Sequence, residues 1–224
     1  IVFGDWSSDV CSSDLVLDNV LNADLCSSEA VPVKVPRLLK DFQESFAPYL
    51  VNVFNDNGSC IFWIGHYLKL RKNWEYFISL GYASMGYAIP AAIGGAMATP
   101  EKINVAFAGD GSAMMHGNEL KTAAEYNAPV FIFVFNDGRL GIIHHSSSIL
   151  YGKPIPGTSH DERIDFVKLA NSLGMNGYRI DTPGQINPAF IARLVKEKKP
   201  VLFDCWIDAE DLAPYAERIT QVKK

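Results

Sequence analysis

The stretch that decides the fold is Gly109-Asp110-Gly111-Ser112, which is followed further along the chain by Asn136-Asp137. The segment between these motifs is predicted to form a helix over residues 116–127 and a strand over residues 129–135, because its apolar residues follow first helical and then buried-strand spacing. Open parallel sheets bind ligands at the carboxyl ends of their strands. The pattern therefore predicts that the two aspartates lie close together at that edge.

Asp110 and Asp137 are candidate metal ligands. Carboxylate oxygens beside a glycine turn and a helix N-terminus suit a hard cation that holds a diphosphate group. This chemistry is the first functional prediction that the residues themselves support.

Strands and helices alternate along the rest of the chain. Strands are predicted at residues 51–54, 76–80, 103–108, 177–180 and 201–206, and helices at residues 36–49, 61–70, 90–98, 165–173 and 187–197. Residues 142–160 are predicted to be a long loop because they contain Pro154, Pro156 and Gly157. The alternation predicts an α/β fold, a doubly wound parallel sheet with helices on both faces.

The N-terminal segment has an unusual origin. Residues 5–15 read DWSSDVCSSDL, which matches the translation of a common sequencing adapter. We therefore expect residues 1–15 to be an artefactual segment and the natural chain to begin near Val16. The domain prediction is a linker remnant over residues 16–35, one ligand-binding domain over residues 36–207, and a C-terminal tail over residues 208–224.

The composition of the chain argues against a nucleic-acid-binding protein and against a membrane-spanning one. Apolar residues make up 48% of the 224 residues, and the formal net charge is −5. The chain therefore lacks the basic surface of a nucleic-acid-binding protein and the long apolar run of a membrane span. Besides Cys11 in the adapter segment, Cys26, Cys60 and Cys205 are widely spaced. This spacing favours neither a disulfide framework nor an iron–sulfur site, and we expect a cytoplasmic setting.

The two acidic motifs resemble the diphosphate-binding domain of thiamine diphosphate (ThDP) enzymes. The signature of that family is Gly-Asp-Gly followed after roughly two dozen residues by Asn-Asn. Ile93-Gly94, Pro100, Val105 and Phe107 also fall at the spacing of the signature. The resemblance implies a ThDP-binding fold, with ThDP and Mg²⁺ as cofactors; it leaves FAD binding undecided.

The resemblance assigns the metal ligands to Asp110, Asp137 and the backbone carbonyl of Arg139. Asp137 departs from the family pattern, which has a second asparagine there, and adds a negative charge near a diphosphate. We leave two alternatives open for the guanidinium of Arg139: it offsets this charge, or it points into water.

Further cofactor contacts follow from the same resemblance. The loop at residues 81–86 resembles the one that holds the aminopyrimidine ring, in which Met85 would wedge between the two cofactor rings. The alternative for Met85 is a side chain that fills the core. Cys60 would touch the diphosphate, or it is a small buried apolar residue. Ser112 would bind the diphosphate by its hydroxyl or amide, and the alternative is a simple helix cap. The residues assigned to the cofactor are Ser59, Cys60, Ala83, Ser84, Met85, Gly109, Asp110, Gly111, Ser112, Asp137, Gly141 and Ile142.

Three histidines are candidate catalytic residues. His144 and His145 follow the Asp137 motif, where relatives place residues that face the thiazolium ring, and His116 follows the first motif. Each could stabilise developing negative charge or carry a proton. The alternative is an ordinary solvated or hydrogen-bonded loop histidine.

Within the family the chain resembles the group of acetolactate synthase, benzoylformate decarboxylase and pyruvate decarboxylase. The resemblance implies decarboxylation of a small 2-oxo acid, followed by protonation or carboligation of the resulting enamine. Ser146 stands where biosynthetic acetolactate synthases have a tryptophan, which puts their acceptor specificity in doubt. The essential glutamate of the family lies in a pyrimidine-binding domain of a second subunit, so we expect a homodimer or homotetramer. We also expect this fragment alone to bind ThDP weakly and to have no turnover.

Two alternatives to a domain of a single-chain enzyme remain. The chain could be the diphosphate-binding subunit of a split ThDP decarboxylase, or a non-catalytic binding or interface module. The ligand types at Asp110 and Asp137 weigh against the module, and the linker-like residues 16–35 favour the single-chain enzyme.

Overall fold

A computed structural model describes residues 23–216. Its centre is a six-stranded sheet in which every pairing is parallel, in the order β2-β1-β3-β4-β6-β5. The strands are β1 (Val51–Asn55), β2 (Trp74–Ile78), β3 (Ile103–Gly109), β4 (Val130–Asn136), β5 (Asn176–Ile180) and β6 (Val201–Trp206). The helices in this part of the chain are α1 (Ala23–Cys26), α2 (Val35–Phe46), α3 (Ser59–Tyr67), α4 (Ala88–Ala98), α5 (Asp110–Met115), α6 (Glu119–Glu125), α7 (Gly141–Tyr151), α8 (Phe166–Ser172) and α9 (Pro188–Glu197).

Helices cover both faces of the sheet. The alternate side chains of a strand point to opposite faces, so Phe133 of β4 packs in a core with helices α2, α3 and α9. Its neighbours Ile132 and Val134 pack in a second core with α4, α6 and α8. The predicted doubly wound parallel sheet is therefore confirmed.

The strand order places a crevice between β1 and β3. The chain leaves β1 towards β2 on one side and leaves β3 towards β4 on the other. Helix α3, which follows β1, packs on the first face, whereas α6, which follows β3, packs on the second. The connections diverge at the carboxyl ends of these two strands, and such a point is where doubly wound sheets bind ligands.

One prediction of local structure was wrong and another needs shorter bounds. Residues 142–160 are not one long loop, because α7 occupies Gly141–Tyr151 and ends at Gly152, whose φ of 75° closes the helix in the left-handed region. The prolines that suggested a loop follow this helix. The helix predicted at residues 116–127 is present but shorter, as α6 (Glu119–Glu125), and the separate helix α5 (Asp110–Met115) before it was not predicted.

The N-terminal residues of the described part pack against the sheet. Val33 is fully buried, forms a parallel bridge with Ile207, and donates its N–H to the carbonyl of Asp181 at 2.7 Å. The predicted adapter segment, residues 16–22 of the predicted linker and residues 217–224 of the predicted tail lie outside the described residues, so the domain boundaries stay predictions. Between residues 23 and 216, no helix is long and apolar enough to cross a membrane.

Candidate functional site

Three adjacent strands are each followed directly by an aspartate. Asp56 follows β1, Asp110 follows β3 and Asp137 follows β4, and these strands are neighbours in the sheet. Since all three are parallel, their carboxyl ends meet at one edge. A cavity opens there, and the Asp110 and Asp137 side chains line it.

Most of the predicted site residues line this cavity. The predicted residues on its wall are Ser59, Cys60, Met85, Gly109, Asp110, Gly111, Ser112, Asp137, Arg139, Gly141, Ile142 and His145. The residues that the sequence analysis did not single out are Asn57, Gly58, Trp63, Phe135, Leu140, Ile143, Ile207 and Asp211. Ala83, Ser84, His116 and His144 do not line it.

Asp110 is almost fully buried and accepts two backbone hydrogen bonds. One carboxylate oxygen accepts from Gly111 N at 2.6 Å, and the other accepts from Gly138 N at 2.8 Å. Gly138 has a φ of 72°, a conformation that favours glycine. Burial raises the pKa of Asp110 to about 6, although the backbone N–H groups and Arg163 oppose the shift.

The carboxylate of Asp137 accepts fewer hydrogen bonds than that of Asp110. Its Oδ1 accepts one hydrogen bond, from Arg139 N at 3.0 Å. Burial raises the pKa of Asp137 to about 7, and the negative charge of Asp110 adds to the shift. The pair therefore brings two carboxylates together where Asp110 is buried and Asp137 is partly buried, and a bound cation would reduce their mutual repulsion.

Glycines provide the space beside these carboxylates. A Cβ atom at Gly141 would lie 2.8 Å from Asp137 Oδ2 and 3.1 Å from Ser59 Oγ. A Cβ atom at Gly111 would lie 2.6 Å from a methyl carbon of Leu140 and 3.4 Å from Cε of Met85. A larger residue at either position would crowd the cavity.

Asp56 was not predicted, yet it joins three parts of the site. Its carboxylate accepts hydrogen bonds from Asn57 N at 2.8 Å, Gly86 N at 2.9 Å, Ala88 N at 2.9 Å and Ser112 Oγ at 2.9 Å. The available signal was its position directly after a buried strand, which it shares with Asp110 and Asp137. The hydroxyl of Ser112 donates its proton to Asp56, so of the two predicted cofactor contacts of Ser112 only the amide would remain.

The predicted pyrimidine loop lies beside Asp56. Ala83 has a φ of 51°, in the left-handed region that alanine seldom adopts. The carbonyl of Ser84 accepts a hydrogen bond from Asn57 Nδ2 at 2.6 Å. Strained backbone of this kind is concentrated at functional sites, and here it adjoins Met85 on the cavity wall.

The three histidines occupy different surroundings. His145 is buried on the cavity wall, and its Nε2 lies 3.0 Å from the carbonyl oxygen of Ala209. His144 Nδ1 lies 3.1 Å from Thr158 Oγ1, and burial together with Arg139 lowers the pKa of His144. His116 packs against the backbone of Gly86, outside the cavity. Only His145 is brought next to the predicted metal ligands.

The guanidinium of Arg139 adopts neither of the two arrangements considered from the sequence. It donates to the carbonyl of Ala209 at 2.9 Å and pairs with Glu210 at 2.7 Å. Arg139 therefore binds the chain that follows β6, which also contributes Ile207 and Asp211 to the cavity wall.

Cys60 has the surroundings of an inert thiol. It is buried, and burial raises its pKa well above the usual value, with nearby aspartates adding to the shift. A protonated thiol is neither a good nucleophile nor a good metal ligand. The alternative of a small buried apolar residue fits Cys60 better than a direct charge contact with a diphosphate.

Comparison with known proteins identifies the family. Residues 56–205 match the family model described as thiamine pyrophosphate enzyme, C-terminal TPP binding domain. The chain is 31% identical over 199 residues to a probable acetolactate synthase large subunit of Methanococcus aeolicus, which covers 86% of this chain and 33% of that protein. It is 32% identical over 188 residues to the probable acetolactate synthase large subunit of Methanocaldococcus jannaschii, covering 82% of this chain and 32% of that protein.

A third relative is the acetolactate synthase isozyme 1 large subunit of Escherichia coli (strain K12), 30% identical over 160 residues that cover 71% of this chain and 28% of that protein. The chain spans about a third of the length of the curated relatives it matches. The family match agrees with the position of the aspartates at the ligand-binding edge of the sheet. The chain belongs to the thiamine pyrophosphate enzymes, as a C-terminal ThDP-binding domain similar to that of acetolactate synthases.

Proposed function

We propose that this chain binds ThDP together with Mg²⁺ and forms the diphosphate-binding half of an enzyme that decarboxylates a small 2-oxo acid and then protonates or carboligates the product. The observation that carries the proposal is the pair of neighbouring carboxylates, buried Asp110 and partly buried Asp137, at the carboxyl ends of β3 and β4 beside the crevice. When bound, ThDP acts as the electron sink for the loss of CO₂ from a 2-oxo acid.

The residues present fit a Mg²⁺ ion. Asp110 and Asp137 supply hard oxygen ligands of the type that Mg²⁺ prefers, and Mg²⁺ commonly takes one or two protein carboxylates together with substrate phosphates. Among the described residues no group of three or more His, Cys, Asp and Glu side chains is placed to hold a metal. The remaining ligands would therefore be the backbone carbonyl of Arg139, the diphosphate and water.

The cavity also fits the organic part of the cofactor. Gly111 and Gly141 keep the space beside the carboxylates open, and Met85 and Leu140 close it with apolar side chains. We assign to Met85 the wedge between the two rings. His145 carries a proton on Nε2, because its partner there is a carbonyl oxygen, which only accepts. It is the histidine that we propose to serve the reacting groups.

Exposed apolar side chains support a partner subunit. Leu80, Tyr82, Met114, Met115 and Ile143 are 42 to 99% exposed and lie on the loop at residues 79–87, on α5 and on α7. Apolar surface of this kind marks a contact with another protein. We propose that the pyrimidine-binding domain of a second subunit covers it, in a homodimer or homotetramer.

Calorimetric titration of Mg²⁺–ThDP into the 224-residue chain tests the binding claim. We expect saturable binding by the unchanged chain, and Asp110→Ala should weaken it by about 100-fold or more because a charged ligand is lost. Asp41→Asn is the matched control: Asp41 is also buried and accepts a backbone N–H, from Gly184 at 2.8 Å, but it lies on α2 outside the cavity. Equal affinity of the Asp110→Ala variant and the unchanged chain would overturn the proposal.

A further inference from the structure

We propose that Asp56 is a positioning residue, which holds the loop at residues 79–87 and the start of α5 in the geometry in which they meet the cofactor. This inference rests on the proposed function, since it assigns the loop to the cofactor. It differs from the ligand assignments because Asp56 does not line the cavity. Its effect passes through the groups that it binds.

The first support is the hydrogen bonding of the Asp56 carboxylate. Asp56 is fully buried and accepts from Gly86 N, Ala88 N and Ser112 Oγ, each at 2.9 Å, in addition to Asn57 N. Hydrogen bonds to a carboxylate are stronger than those between neutral groups. Four donors around one anion therefore fix three separate segments relative to each other.

The second support is Asn57, which holds the other end of the same loop. Its Nδ2 donates to the carbonyl of Ser79 at 3.2 Å and to the carbonyl of Ser84 at 2.6 Å. Asp56 and Asn57 thus bind the loop on both sides of Met85. The loop is attached to the end of β1, while its tip stays open to solvent, as the 99% exposure of Tyr82 shows.

The third support is the strained residue between these attachment points. Ala83 keeps a φ of 51°, which costs free energy and persists only where surrounding contacts impose it. The bonds from Asp56 and Asn57 are such contacts. A loop already held in its binding geometry loses less entropy when a ligand binds.

Two variants separate positioning from general stability. Asp56→Asn removes the negative charge that four donors share, and Asp41→Asn removes a buried charge outside the cavity, which is paired with Arg37 at 2.9 Å. We expect both variants to unfold at lower temperature, whereas only Asp56→Asn should weaken Mg²⁺–ThDP binding, by about tenfold at a temperature at which both are folded. Equal losses of affinity in the two variants would overturn the proposal.

Hydrogen exchange provides a second readout that needs no variant. In the unchanged chain without ThDP, the amides of Gly86 and Ala88 should exchange much more slowly than the amide of Tyr82, because Asp56 holds them. Exchange of Gly86 and Ala88 as fast as that of Tyr82 would overturn the proposal even if Asp56→Asn failed to fold. Absence of ThDP binding by the unchanged chain would instead reject the proposed function. The exchange measurement, which is made without ThDP, would still show whether Asp56 holds the loop.

Discussion

Asp56 and Asp137 occupy equivalent places in the chain and very different surroundings. Each is the first residue after a central strand of the sheet, and the carboxylate of each lies at the same edge. Asp56 accepts four hydrogen bonds from the protein, whereas Asp137 accepts one, from Arg139 N. The fold therefore uses one carboxylate to hold itself together and leaves the other with unused acceptor capacity.

The difference shows how a stable scaffold and a binding site share one sheet edge. A buried carboxylate with several donors stabilises the segments that it joins, because losing it would leave those donors unsatisfied. A partly buried carboxylate with few donors and a second negative charge nearby, such as Asp137, destabilises the ligand-free fold until a cation binds. Mutations at the two positions should consequently have opposite effects on stability.

The largest effect is expected for Asp56→Asn. Asparagine keeps the size of the side chain but turns one acceptor oxygen into an N–H donor, which would face either the amide of Gly86 at Oδ1 or the amide of Ala88 at Oδ2. The free energy of unfolding should fall by about 2–4 kcal/mol. Urea unfolding followed by circular dichroism measures this change. If the free energy of unfolding falls by less than it does for a variant at an exposed site, such as Glu44→Gln, Asp56 does not stabilise the fold more than Asp137 does.

Asp137→Asn should instead stabilise the ligand-free chain at alkaline pH. The pKa of Asp137 is raised to about 7 in the folded chain, against about 3.9 in the unfolded chain. A raised carboxyl pKa contributes stability that is complete below the unfolded value and is lost as the pH rises through the folded value. The unchanged chain thus loses this contribution between about pH 4 and pH 7, whereas asparagine does not titrate.

The gain from Asp137→Asn should therefore be larger at pH 8 than at pH 5, by about 1–2 kcal/mol. Urea unfolding at the two pH values, without Mg²⁺ or ThDP, measures the difference. Asp41→Asn, at a buried aspartate outside the cavity, serves as the control. A gain that is equal at both pH values would mean that Asp137 is compensated as well as Asp56 is.

The sequence predicts the Asp110–Asp137 pair well, because only local patterns are needed. A strand, a glycine turn, a helical segment and a second strand bring the two residues to neighbouring strand ends, and Gly109 does pair with Phe135 in the sheet. The fold class followed from the same alternation. Helix α7 was missed because the prolines and glycine after Tyr151 outweighed the apolar residues before it.

The role of Asp56 lay beyond such reasoning for a physical reason. Its partners Gly86, Ala88 and Ser112 are 30, 32 and 56 residues away along the chain. Their meeting depends on how α4 and α5 pack, which no local period encodes. The same holds for Arg139, whose partner Glu210 is 71 residues distant.

Gly141→Ala should disturb Asp137 but not Asp56, and should therefore affect ligand binding rather than stability. The added Cβ would lie 2.8 Å from Asp137 Oδ2 and would push the carboxylate from its place, while no atom of the Asp56 network is among its contacts. Mg²⁺–ThDP affinity should fall about fivefold, with stability nearly unchanged because alanine favours the helix that begins there. Gly65→Ala is the control, since its Cβ would meet nothing within 4 Å, and calorimetry should find its affinity unaltered.

The smallest effect is expected at Glu210. Its ion pair with Arg139 is exposed on the Glu210 side, at 80%, and exposed pairs contribute about 0.2–1 kcal/mol. Glu210→Gln should therefore change the free energy of unfolding by less than about 0.5 kcal/mol. Because the guanidinium also binds the carbonyl of Ala209, it should stay in place when Glu210 loses its charge.

This variant tests whether Arg139 compensates Asp137. If the guanidinium stays on Ala209, the gain from Asp137→Asn at pH 8 should be the same with and without Glu210→Gln, within about 0.5 kcal/mol. A smaller gain in the double variant would show that the freed guanidinium turns to Asp137 and neutralises it. Asp137 would then resemble Asp56 in having its charge satisfied by the protein, and the difference between the two aspartates would depend on one surface ion pair.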